Sequence, residues 1–398
     1  MGAASLDASG GVLPDTTRDP QRPPSGPPAG PAPAGGAQVV RSLVSLVAIA
    51  AGWLAVTWVA GLRQGLLFVI GAGFGAVLAG AAFGFTTGWR VWLTQRDPTG
   101  FLAQFLAIGL TSIVSIPLLA SHTELSGAAA PLSVSLVLGA FVFGAAMQLA
   151  DGCGSGTLYK AGLGVPLNMA ILPLFALGSF AGSAHLNDWL ALGALPPVGL
   201  VSAFGAGGAL AATGVALALI ALGVGRWSGQ RLDLRRLPRR WLWGALGLAL
   251  LAALNLLIAG QPWGVVYGFG LWAAKLATAL GAFEPSANAF WSEPGHAERL
   301  QQTLLLDVTS ITNIGILAGA LWVSARRPES PRQLTGAQWA IGLLAGFIMG
   351  YSSRLAFGCN VGAMVSGIST GSLHGWLWVP LAFAGTLIGL RVRRRFGF

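Results

Sequence analysis

Charge is what this chain has least of: only 9% of its 398 residues are charged, whereas 54% are hydrophobic and 59 are glycine. That shortage, with a mean hydropathy of +0.69, excludes an ordinary soluble domain. Cysteine is almost missing too. Two in the whole chain, each inside an apolar segment, exclude a disulfide framework of the secreted kind. No Walker-type phosphate loop is present. The net charge of +10 does not imply a nucleic-acid partner, because the arginines sit in short loops and at the C-terminus rather than along one soluble face.

What the chain does have is long apolar runs. A spanning helix needs roughly 20 mostly apolar residues, and candidates fall at 42–60, 66–84, 101–120, 132–150, 165–184, 199–224, 241–260, 304–323, 338–352 and 374–391. Backbone groups in lipid must satisfy each other, so the expected fold is an all-α integral membrane protein of about eight to ten transmembrane helices. Residues 1–37 are rich in Pro, Gly, Ala and Asp and read as a disordered cytoplasmic tail rather than a signal peptide. The stretch 38–225 reads as a first membrane half, 226–240 as an Arg-rich loop, and 241–398 as a second half. Residues 261–302 suggest an interfacial or re-entrant helix and then a polar outer loop with Glu284, Glu293, His296, Glu298 and Arg299.

Both cysteines lie in a repeated unit. GAAMQLADGCGSGTLYKAG (144–162) returns as GYSSRLAFGCNVGAMVSGI (350–368), with Gly144, Leu149, Ala150, Gly152, Cys153 and Gly156 matching Gly350, Leu355, Ala356, Gly358, Cys359 and Gly362 at a shift of 206. A weaker echo pairs Thr111, Ser112, Ile113 and Ile116 with Thr309, Ser310, Ile311 and Ile314 at a shift of 198. Arginines at 226, 231, 235, 236, 239 and 240, at 326, 327 and 332, and at 391 and 393–395 place those loops and the C-terminus in the cytoplasm. Counting spans from these anchors starts the span at 338 inside and the one at 132 outside. The expectation is two inverted repeats with broken or re-entrant helices at the Gly-Cys units, an arrangement typical of transporters.

Glycines at 152, 154, 156, 358 and 362 interrupt the apolar pattern and let backbone break or approach closely. They also suit plain small-residue helix packing. Cys153 and Cys359, at equivalent breaks, offer weak S–H donors and polarizable sulfur acceptors; as thiolates they can attack ligand sulfur. Both chemistries suit a small sulfur-containing or selenium-containing solute. Arg354, five residues before Cys359, presents donors for an anion, whereas its counterpart is Gln148. Asn360 follows Cys359. Arg90, Asp151, Lys160 and His374 are further candidates for the path, and Lys275 and Asp307 fit an interface. Cys153, Cys359 and His374 share no metal-ligand spacing, so neither a metal nor another cofactor is expected.

These two units, with SLHGW at 372–376, closely resemble the paired motifs of the YeeE/YedE family of bacterial inner-membrane proteins. The resemblance covers about 65–390. It implies an inverted-repeat fold, import of thiosulfate or, in another branch, a role in selenium metabolism, and passage between thiols by S–H hydrogen bonds without rocking of the whole protein. It assigns path roles to Cys153 and Cys359 and departs from the family at Gly84, which stands where a Cys-Phe-x-x-x-x-Arg segment begins. The expected function is import of a thiosulfate-like anion by a non-enzyme in the inner membrane, surrounded by lipid. A selenium-compound transporter and a redox or sulfur-carrier protein with covalently reacting cysteines are the alternatives, and a cytoplasmic sulfur-accepting protein is a possible partner.

Overall fold

A computed structural model describes residues 35–229, 237–326 and 333–397. The tail up to 34 and the arginines at 231, 235, 236, 327 and 332 lie outside the described residues. The helices are α1 Gly36–Ala60, α2 Leu62–Gly80, α3 Phe85–Gln95, α4 Thr99–Ser121, α5 Val134–Leu149, α6 Gly154–Gly162, α7 Pro166–Ala184 and α8 Leu186–Ala191. They continue with α9 Leu200–Ser228, α10 Arg239–Ala259, α11 Val266–Ala279, α12 Pro294–Gln301, α13 Val308–Arg326, α14 Gly336–Leu355, a π-helical segment Asn360–Ser366, α15 Gly367–Ser369 and α16 Leu373–Arg395. Among the described residues one strand pair, Leu132–Ser133 with Ala194–Leu195, ties the start of α5 to the loop before α9. Among the described residues ten helical stretches are long and apolar enough to cross a membrane, in the places the apolar runs predict. The chain is a multi-pass membrane protein.

Glycine sets the closest helix contacts. Gly71 and Gly75 of α2 face Gly315 and Gly319 of α13, and a Cβ on any of the four would fall on backbone of the facing helix. Small residues at four-residue spacing let two backbones meet in lipid, where no hydrophobic effect drives helices together.

The same device joins the helices around the two Gly-Cys units. A Cβ on Gly178 or Gly182 of α7 would fall on Phe347 or Tyr351 backbone of α14. One on Gly385 or Gly389 of α16 would fall on Phe141 or Ala145 backbone of α5. Gly350 likewise faces Phe175, and Gly144 faces Ala382. Each helix that follows a Gly-Cys unit thus packs on the helix that precedes the other unit.

Sequence reading differs from the structure in two places. In the segment at 261–302, α11 packs inside the bundle, with Phe269, Leu271 and Ala274 buried, which disagrees with the interfacial alternative for this stretch and leaves the re-entrant one. The weaker echo is carried by Thr111, Ser112, Thr309 and Ser310, which are all buried, but Ile113 is 63% exposed while Ile311 is fully buried.

Candidate functional site

Two helix breaks share one backbone. After α5, Ala150 (φ −73, ψ −3) leads to Asp151 at φ 53, and Cys153 (φ −85, ψ −171) is the N-cap of α6. After α14, Ala356 (φ −88, ψ 5) leads to Phe357 at φ 56, and Cys359 (φ −90, ψ −166) is the N-cap of the π-helical segment. Their hydrogen bonds correspond as well. Met147 O accepts from Gly152 N–H at 3.2 Å and Ser353 O from Gly358 N–H at 2.8 Å, while each cysteine carbonyl accepts at 2.8 Å from the N–H four residues on. Gly358, at φ 147, takes a conformation open only to glycine, and a Cβ there would stand 2.5 Å from Ala363 N. Phe357 is a bulky side chain at positive φ, held there by its surroundings.

A third break of this type joins α2 to α3. Ala82 has φ 50, Leu78 O accepts from Phe83 N–H at 2.8 Å, and Gly84 is the N-cap of α3. Gly84 therefore holds the place that cysteine holds in the other two. A Cβ there would stand 3.0 Å from Thr87 Oγ1 and 3.5 Å from the Tyr159 hydroxyl.

The two half-helices bring their N-termini, and both sulfurs, to the same region. A Cβ on Gly154 would lie 3.1 Å from Cys359 Sγ, and one on Gly156 would lie 3.5 Å from Cys153 Sγ. The backbone N–H groups of Ser155 and Gly156 face the Cys153 sulfur, those of Val361 and Gly362 face the Cys359 sulfur, and Ser155 N–H faces both. Ser155 Oγ stands 3.4 Å from Cys153 Sγ. Both thiols are free and fully buried. Helix N-termini present unpaired N–H groups and the positive end of the dipole, so two of them meeting create a place for negative charge.

Three polar side chains within five residues of a cysteine have atoms without partners. Gln148 and Asn360 are fully buried, and among the described residues neither the amide nitrogen nor the amide oxygen of either side chain has a partner. Thr157 Oγ1 is in the same condition, next to Gly152. Buried amides are almost always hydrogen-bonded, so these atoms on the residues flanking the two thiols suit a polar partner. Sequence reading singled out Gln148 and Asn360 by position but missed Thr157, whose only signal is its place one turn after Cys153.

The flanks of the breaks differ. Beside Cys153, Asp151 binds Arg90 Nη1 at 2.7 Å, Lys160 Nζ at 2.8 Å and Arg393 Nη2 at 3.2 Å. The first three of these four residues were candidates from sequence; Arg393 was not. Beside Cys359, Arg354 donates from Nε to Ser183 Oγ at 2.7 Å and places its guanidinium over the rings of Tyr267 and Phe290, at 5.5 and 5.3 Å. Arg299 covers Tyr267 at 5.1 Å, and His296 stacks on Phe290 and meets the Tyr267 hydroxyl at 3.0 Å. His374 does not join the cysteines. Its Nδ1 meets Ser372 Oγ at 2.7 Å and its ring packs on Gly367. Lys275 donates to Leu300 O and Gln302 O, and Asp307 accepts from Ser310 N–H at the start of α13.

The arrangement at His296 has a pH consequence. Burial first, then Arg354 and Arg299, push its imidazole from 6.5 down to about 4. The unfolded chain therefore binds this proton more readily, and the stability that the neutral ring contributes is present above pH 6.5 and lost as pH falls through about 4. Thermal unfolding in detergent between pH 7 and 4 is expected to show a loss of roughly 1–3 kcal/mol that His296→Gln abolishes.

Known proteins with similar sequences point one way. The chain is 28% identical over 330 residues to "Thiosulfate transporter TsuA" of Spirochaeta thermophila, covering 78% of this chain and 92% of that protein. It is 29% identical over 137 residues to "Probable transporter YedE" of Escherichia coli and 28% identical over 146 residues to the protein of the same name in Salmonella typhimurium. Each of these two matches covers 34% of this chain and spans about a third of that relative's length, 33%. Residues 80–388, which include all three helix breaks and both thiols, match the family described as sulphur transport, and the chain belongs to that family, the YeeE/YedE proteins.

Proposed function

We propose that this protein carries a small sulfur-containing anion of the thiosulfate kind inward across the membrane, with Cys153 and Cys359 as successive hydrogen-bonding stations. The observation that carries the reading is the convergence of two N-capping thiols on one stretch of backbone, where a Cβ on Gly154 would stand 3.1 Å from Cys359 Sγ. An anion with a soft terminal sulfur and hard oxygens matches what is there. Sulfur accepts weakly from S–H, while oxygens take N–H donors from helix ends and from Gln148 and Asn360. Conduction needs stations that hold weakly enough to release, and a thiol is a weak donor. Gly152, Gly154, Gly156, Gly358 and Gly362 keep backbone and sulfur close along this route.

The reciprocal packing of α7 on α14 and α16 on α5 supports reading the halves as inverted repeats with the path at their axis. The arginines near the end of α16 then mark the cytoplasmic side, and Arg354 with Arg299 lies at the entrance. Purified protein in proteoliposomes, offered labelled thiosulfate, sulfite, sulfate and selenite in turn, tests this. Thiosulfate uptake at least tenfold above sulfate is expected; equal rates for all four, or none, would sink the proposal.

A further inference from the structure

We infer that Arg354 and Arg299 form a capture site for a small divalent oxyanion, which they hold by its oxygens, so that sulfate occupies the site as well as thiosulfate does. The inference rests on the transport reading for its place on the outer side, ahead of the thiols, but not for the binding itself.

Two guanidinium groups share one aromatic ring. Arg354, from α14, and Arg299, from α12, lie 5.5 and 5.1 Å from the centre of the Tyr267 ring, and both are only partly exposed. Among the described residues neither has a carboxylate within ion-pairing distance. The nearby acids are engaged elsewhere: Glu293 stands 3.7 Å from His296, Glu298 accepts from Gln302 Nε2 at 2.6 Å, and Asp307 accepts from Ser310 N–H at 2.7 Å. A partly buried cation in a membrane protein is costly unless an anion shares its place. Here the anion has to come from outside the chain.

Arg354 is also held as a binding group needs to be held. A Cβ on Gly182 of α7 would stand 3.1 Å from Arg354 Cβ, so the stem of the arginine is fixed by a close helix contact. Ser183, next in α7, donates to Ser179 O at 2.9 Å and accepts from Arg354 Nε at 2.7 Å. Among the described residues the two Nη groups of Arg354 have no hydrogen-bond partner. A guanidinium oriented in this way binds two oxygens of an oxyanion side by side, whereas a soft sulfur atom gains little from it. The arginines therefore read charge and oxygen. Selection for sulfur falls to the thiols.

Phe357 links the two places. It packs on the aromatic group that includes Tyr267, Phe290 and Trp291, and also on the core that holds Cys359. The capture site is thus next to the second break without being part of it.

The test titrates full-length protein in nanodiscs with sulfate, an oxyanion without a terminal sulfur, as wild type, Arg354→Gln and Arg299→Gln. Saturable binding is expected, weakened about tenfold by each substitution and displaced by thiosulfate. In proteoliposomes, external sulfate is expected to raise the KM for thiosulfate while Vmax stays, and Arg354→Gln to raise KM and the sulfate inhibition constant together, about tenfold. Arg354→Lys, which keeps the charge without the fork, falls between. Arg299→Gln, on the short helix α12, carries the test where loss of Arg354 prevents folding. No saturable sulfate binding, binding that both Gln variants leave unchanged, or a fall in Vmax at unchanged KM overturns the inference and indicates purely structural arginines. Absence of thiosulfate uptake by wild type would instead overturn the transport reading, whereas sulfate binding that weakens with Arg354→Gln and Arg299→Gln would still establish the site.

Discussion

Cys359→Ala and Cys153→Ala are each expected to abolish thiosulfate uptake into proteoliposomes, while the protein still elutes as a monodisperse species. Both sulfurs are fully buried, and the methyl group that replaces each thiol loses the donor and leaves facing N–H groups without a soft partner. Serine is the more informative change. It keeps a donor but replaces a large polarizable atom by a small hard one, set back from where the sulfur stood. The hydroxyl, set back from the anion's soft sulfur, forfeits a contact worth roughly 1.5 kcal/mol, so Cys359→Ser is expected to slow uptake by about tenfold. A covalent carrier mechanism would instead lose all turnover with serine, and would leave a persulfide or mixed disulfide on the wild-type cysteines that mass spectrometry detects. Full uptake by both alanine variants would refute the stations outright.

Gly154→Val is expected to close the path without touching a thiol. A Cβ at this position would already stand 3.1 Å from Cys359 Sγ and 3.4 Å from the Phe175 ring, and valine adds two methyl groups on a stiff stem. Uptake should fall at least as far as in Cys359→Ala, about a hundredfold or more if overpacking costs several kcal/mol in the conducting arrangement. Gly80→Val serves as the control, since a Cβ there meets nothing within 4 Å. Equal uptake by Gly154→Val and wild type would remove Gly154 from the path.

Local signals made much of this legible. Ten apolar runs gave the spans because length and hydropathy are properties of contiguous residues. The breaks were visible because glycines and cysteines recurred at a fixed shift, and the place of Gly84 was visible through the Phe85 to Arg90 segment that follows it. What stayed hidden depends on residues far apart in the chain. Arg393 belongs to a run of arginines that reads as a topology signal, and nothing near it announces Asp151, 242 residues earlier. The exchange of partners between α5, α7, α14 and α16 is likewise a property of packing. Sequence could not choose between an interfacial and a re-entrant α11, because a 14-residue apolar helix fits the surface and the core equally well.

The π-helical segment keeps the helix contacts in register. Cys153 and Cys359 are 206 residues apart, but Pro173 and Pro380, inside α7 and α16, are 207 apart, and so are Gly178 and Gly385, and Gly182 and Gly389. The stretch between the second thiol and the helix that follows it is one residue longer than its counterpart. A π turn is how an α-helix absorbs a single inserted residue, and Asn360–Ser366 is where α6 has its counterpart. The extra residue is accommodated inside the short half-helix, so the glycine contacts of α16 on α5 match those of α7 on α14 in register. The two thiols can thus differ in their immediate neighbours while the helix contacts around them stay in step.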